Sequence, residues 1–180
     1  MKKLSKSIII KLSMFLIIFT FPFVPQLPFH QVKAKASTIG LNIGEKAPDF
    51  ELKTLDGKNF RLSDLRGKKI LLNFWASWCG PCQEEMPELQ KTYEKLHTQG
   101  VEIIAVNLTT DGETIQSVRA FAKSFNLTIP IPLDINGEVQ KKYQIYGIPT
   151  SFFIDKNGTI RSKYFGPMTE PYIINELNKF

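Results

Sequence analysis

Cys79 and Cys82, in "WASWCGPCQEEMP" (75–87), are the only two cysteines in a chain of 180 residues. Two thiols at that spacing can form a redox disulfide, supply half of a metal site, carry a haem or simply pack. Haem attachment needs a histidine directly after the second cysteine, and residue 83 is Gln. Zinc needs about four ligands, and the only histidines are His30 in the N-terminal segment and His97 at the end of an amphipathic run. Neither a metal nor a separate cofactor is therefore expected. A bridge this short constrains the unfolded chain weakly. It would be a poor staple, and it makes better sense as an exchangeable dithiol.

The flanking residues say how such a dithiol would be held. "KKILLNFWA" (68–76) is a near-continuous apolar run, the pattern of a central strand covered on both faces. From Gly80 to His97 the pattern turns helical, with Met86, Leu89, Tyr93 and Leu96 three or four residues apart. Cys79 thus falls at a helix start, where unpaired N–H groups and the helix dipole favour a thiolate. Cys82, one turn further in, can attack the mixed disulfide that Cys79 forms and release reduced substrate. Pro81 fits the first turn, where its missing N–H costs little. Trp78 is expected on the rim where a partner docks, Trp75 equally there or in the core, and Pro87 predicts a kink.

The remaining segments complete an α/β pattern. "FELKTLDGKNFRL" predicts a hairpin turning at Asp56-Gly57, and "SDLRG" one helical turn from Ser63 to Gly67. "VEIIAVNL" predicts a second buried strand, 113–125 a second amphipathic helix, "TIPIPLD" an irregular or edge strand, and 137–143 a short helix. "TSFFID" and "TIRSKYF" bracket the turn Lys156-Asn157-Gly158, and a last helix spans roughly 169–179. A mixed central sheet with helices on its faces follows, extended by the N-terminal hairpin.

The formal charge of +6 does not point to a polyanion. Residues 1–36 hold six lysines and no acid, which leaves 17 basic against 17 acidic residues from Ser37 onward. No nucleic-acid partner is expected. The lysine-rich start, the apolar run Leu12–Val24 and the small-x-small triplet Ala34-Lys35-Ala36 read as a signal peptide or an N-terminal membrane anchor. Residues 37–180 then form one domain outside the cytosol, secreted or tethered to the membrane only through that segment. Exported thiols tend to oxidise unless something keeps them reduced.

"NFWASWCGPC" resembles the active site of the thioredoxin superfamily, and residues 41–180 resemble its exported TlpA/ResA-type thiol–disulfide oxidoreductases. The resemblance is carried by "APDFELKTLDGK", "LSDLRGK", Pro87, "GVEIIAVN" and "YGIPTSFFID". It implies a thioredoxin-like fold in which the Ile148–Pro149 bond is cis and faces the cysteine pair. Trp78, Gly80, Pro81, Ile148 and Pro149 are then the expected substrate-binding residues. Cytosolic thioredoxins carry a buried Asp where this chain has Asn73, so another group or water must take the proton from Cys82. Glu85, three residues after Cys82, matches a functional glutamate of the ResA-like branch; the alternative is a solvated surface charge like Glu84 and Glu88. A second acid implied after the "AVN" strand is replaced by Thr110, with Asp111 beside it.

The expected activity is reduction of disulfides in exported proteins, by a monomer that draws electrons from a membrane thiol carrier. Some members of that branch act in cytochrome c maturation, which makes apocytochrome c a candidate substrate. A disulfide-forming oxidase or isomerase is the alternative, as is a thiol peroxidase. Peroxidases of this class carry a threonine three residues before the cysteine, where Ala76 stands. A binding or chaperone module with an inert disulfide is the non-enzymatic reading.

Overall fold

The computed structural model describes residues 38–110 and 112–180. The proposed leader, residues 1–36, lies outside the described residues, as does Asp111. No helix among the described residues is long and apolar enough to cross a membrane.

The predicted hairpin forms from β1 (Glu51–Lys53) and β2 (Asn59–Arg61), paired antiparallel, with Gly57 at φ 86° in its turn. The main sheet contains β3 (Lys69–Trp75), β4 (Val101–Asn107), β5 (Thr150–Ile154) and β6 (Ile160–Phe165), in the order β4-β3-β5-β6. β3 runs parallel to β4 and antiparallel to β5, and β6 closes the edge antiparallel to β5. Helices α1 (Gly80–Leu96), α2 (Ile115–Ser124), α3 (Glu138–Lys142) and α4 (Glu170–Leu177) complete the fold.

The apolar run of β3 divides between two layers because successive strand side chains point to opposite faces. Ile70, Leu72 and Phe74 join one buried cluster with Ile104, Phe152 and Tyr143. Leu71 and Trp75 join the other, with Met86 and Leu89 of α1, Phe121 of α2 and Ile173 of α4. Both faces are covered, so the whole strand reads as hydrophobic. Asn73 is the exception, and by alternation it lies on the α1 side. Trp75 belongs to the core: it is fully buried, its indole N–H donates to the Ala105 carbonyl, and its ring lies 5.0 Å from that of Phe121.

"TIPIPLD" lies along the outside of β4 without becoming a regular strand. Pro130 and Pro132 have no N–H to give, but their carbonyls accept from Ala105 and Asn107 at 3.0 and 2.9 Å. Helix α1 continues through Pro87, which stands on its exposed side.

Candidate active site

The cysteines sit where β3 ends and α1 begins. Cys79 is the N-cap of α1, with extended backbone (φ −84°, ψ 109°), and its sulfur accepts from the Cys82 N–H at 3.3 Å. Gly80 and Pro81 form the exposed first turn. The two sulfurs are joined as a disulfide. Cys79 keeps 6% of its surface exposed and Cys82 none, so an incoming sulfur can reach only the first. In the dithiol form, that helix-start N–H and the dipole behind it favour Cys79 as thiolate.

Facing the pair is the loop before β5. Its Ile148–Pro149 peptide is cis, and the Ile148 carbonyl oxygen lies 3.8 Å from the Cys79 sulfur. As part of a disulfide that sulfur has no hydrogen to give, so this is a contact. The Ile148 N–H makes no hydrogen bond among the described residues, so it is open to an extended backbone laid across the site. Trp78 stands beside the pair with 58% of its surface exposed. All five expected substrate-binding residues therefore flank one sulfur.

Glu85 is not a surface charge. It is 1% exposed, whereas Glu84 points to solvent. One carboxylate oxygen accepts from the Asn73 amide at 2.9 Å and the other from the Met168 N–H at 3.2 Å. The same Asn73 amide nitrogen also donates to Ser151 at 2.9 Å, and Asn73 pairs with Ser151 across the sheet. Burial pushes the Glu85 carboxyl up to about 7, against the two hydrogen bonds that favour its ionised form. Asn73 Oδ1 is the buried side-chain atom left without a partner among the described residues. An acid near neutrality thus sits one helical turn beyond Cys82, in the layer where Asn73 stands in place of an acid on the strand.

A buried acid that the sequence reading did not single out, Glu113, reaches the site from the β4–α2 connection. Thr110 turns towards Gln140, 3.3 Å away. Glu113, 7% exposed, accepts instead from the Ser77 N–H and hydroxyl, the Ser117 hydroxyl and the Asn107 amide. Burial pushes its carboxyl up, but hydrogen bonds from Ser117, Ser77 and Asn107 outweigh this and hold it below the ordinary carboxylate range. Glu113 therefore clamps the loop two residues before Cys79. A signal was present: Glu113 directly precedes the Thr114 cap of α2, whose start fixes it.

Glu113→Gln removes the charge and leaves one acceptor for these donors. The expected cost is about 1–3 kcal/mol at pH 7. Because the folded carboxyl is depressed, its contribution is present above the ordinary glutamate range and fades as pH falls through the folded value. Urea unfolding at pH 7 and pH 3 checks this: the gap between wild type and variant should narrow at the lower pH.

The AhpC/TSA family model matches residues 43–163. The chain belongs to that family. Among curated relatives, the thiol-disulfide oxidoreductase ResA of Geobacillus kaustophilus is 46% identical over 135 residues, covering 75% of this chain and 76% of its own. The thioredoxin-like protein YneN of Bacillus subtilis is 40% identical over 140 residues, 78% of this chain and 81% of the relative. Among solved structures, StoA from Bacillus subtilis aligns with a TM-score of 0.65 at 37% identity, over 72% of this chain and 96% of that one. Within the family, the chain is thus a thiol–disulfide oxidoreductase with a thioredoxin-like fold.

Proposed function

We propose that this oxidoreductase works outside the cytosol and reduces disulfides in exported proteins, with Glu85 accepting the proton of Cys82. The observation that carries the reading is the buried Glu85 carboxyl, held near neutrality by burial on the helix that bears both cysteines. In the reductive cycle the Cys79 thiolate attacks one sulfur of a substrate disulfide. That S–S bond breaks, and the other substrate sulfur leaves as a thiolate. Cys82 then gives up its proton and attacks Cys79, which releases the second substrate thiolate and closes the Cys79–Cys82 disulfide. The buried Cys82 has little access to water as a base, so an acceptor at Glu85 speeds this second step.

Two electrons must then return from a donor, for which a membrane thiol carrier is the class required. The lysine-rich leader supports the location, and the Gly80-Pro81 pair between the cysteines supports the direction. Apocytochrome c, with two closely spaced cysteines, falls within this substrate class. Equilibration with a thiol buffer tests the direction: a potential nearer that of thioredoxin, about −270 mV, is expected, and one nearer −120 mV would make the protein an oxidant. Expression of the full chain as Cys82→Ser tests the substrates, because exported proteins should accumulate as mixed disulfides on Cys79. If only cytosolic proteins are captured, the location is wrong.

A further inference from the structure

On the flank of the domain, away from the cysteines, a pocket of about 530 Å³ lies between the turn of the N-terminal hairpin, the middle of α2 and the segment 127–131. Tyr93, which closes it on the α1 side, stands three turns beyond Cys82, about 16 Å along the helix. The volume is within the range of small-molecule sites, roughly 300–1,000 Å³. Leu55, Phe60, Ala122, Leu127, Ile129 and the Tyr93 ring give it apolar walls. The frame is tied by the protein's own hydrogen bonds. The Leu55 N–H donates to the Ile131 carbonyl at 2.8 Å, and the Gln90 side-chain oxygen accepts from the Thr128 and Ile129 N–H groups at 2.8 and 3.2 Å.

The polar groups that remain decide what such a pocket can hold. The N–H groups just named are spent inside the protein, so a peptide strand laid here would find them taken. The charged lining residues are Asp56, Lys58 and Arg119. Asp56 accepts from the Thr54 hydroxyl and pairs with the Lys58 ammonium at 2.7 Å, so these two charges offset each other. The exposed Arg119 guanidinium reaches the Leu55 carbonyl at 3.5 Å and forms no ion pair among the described residues. One net positive charge thus stands at the mouth of an apolar pocket, with N–H groups to spare. Thr128 adds a donor, because its hydroxyl oxygen accepts from the Gln90 amide at 2.7 Å and its own proton has no partner among the described residues. A planar guanidinium fork matches a carboxylate with two parallel hydrogen bonds. A phosphate dianion would exceed the single net charge and face Asp56. We infer that this pocket binds a small amphipathic carboxylate, whose aromatic ring or short acyl chain packs against Leu55, Phe60 and Leu127 and whose head group meets Arg119. This site lies outside the disulfide exchange chemistry and uses neither cysteine.

The test uses the full chain and the photoreactive carboxylate para-benzoylbenzoate, with its uncharged amide as the control. After irradiation and digestion, mass spectrometry locates the adducts. Labelling by the acid should saturate and fall within residues 54–60 and 119–131, the segments that wall the pocket. Naphthoate should suppress it, and acetate, which has no apolar body, should not. Arg119→Met keeps an apolar stem over the pocket and removes the charge. It should raise the half-saturating concentration of the acid on the order of tenfold, the loss expected of a charge-assisted hydrogen-bonded pair, and leave that of the amide within twofold. Arg119 is exposed, so the change does not threaten the fold. Labelling that rises in proportion to concentration without saturating would overturn the site. So would an absence of adducts in those two segments, or a variant that binds the acid as tightly as the wild type. None of these results bears on the reductase reading, which is judged by the potential and by the proteins trapped.

Discussion

Cys79→Ser is expected to lower turnover of a protein disulfide by on the order of 10³-fold or more, with no covalent intermediate. Cys82→Ser should also stop turnover, but only after one equivalent of substrate has been captured. The asymmetry follows from geometry. Cys79 is the cysteine with residual exposure, and its sulfur caps the start of α1 and faces Ile148, whereas Cys82 is fully buried. Substrate therefore meets Cys79 first, and Cys82 acts only on a sulfur already delivered to its neighbour. Serine keeps the size of the side chain but is a far weaker nucleophile. Non-reducing mass spectrometry after mixing each reduced variant with a disulfide-bonded protein distinguishes the two. A stable adduct on Cys79→Ser, or continued turnover by Cys82→Ser, would reverse the assignment of attacking and resolving thiols.

The parts of this site encoded locally could be read from the chain. The apolar run 68–76 and the three-to-four spacing after Gly80 placed the cysteines between a strand end and a helix start, and β3 and α1 form within a residue or two of those limits. Glu85 could be singled out because Asn73 cannot titrate. What the sequence did not carry was the distance between them: the 2.9 Å contact joins residues 12 apart and depends on how α1 packs across β3. Glu113 was missed for a similar reason. Its partner Ser77 lies 36 residues away, and the acid is brought there by a connection whose path no periodicity announces. "TIPIPLD" stayed ambiguous because its prolines supply acceptors but no donors, so it follows β4 through the Pro130 and Pro132 carbonyls and gives back one N–H, from Asp134 to the Asn107 carbonyl. The exposure of Tyr146 was not legible either: it looks like any apolar-run residue in "YQIYGIPT" until the fold leaves it outside while Ile145, next to it, is buried.

Glu85→Gln should change two measurements at once, and the pair separates a proton acceptor from a merely structural acid. The first is stability of the oxidised protein, in which neither cysteine titrates. Burial raises the folded carboxyl from 4.5 to about 7, so between these values the native state holds more protons than the unfolded chain. Stability must then fall as pH rises through that window, and the dependence ends above about 7. The shift corresponds to roughly 3 kcal/mol. Glutamine cannot ionise, so its profile should lack this fall, and its stability relative to wild type should improve by a comparable amount from pH 4.5 to 8. At pH 4.5 the two should be close, because the protonated carboxyl and the amide each offer one carbonyl oxygen to the Asn73 and Met168 donors. The second measurement is the rate at which Cys82 resolves a preformed mixed disulfide on Cys79. In the wild type this rate should climb as Glu85 ionises and level off above about 7. In the variant the limb should vanish and the rate at pH 7.5 should fall about 100-fold. A variant with the altered stability profile but an unchanged resolution limb would leave Glu85 as a buried acid without a part in proton transfer.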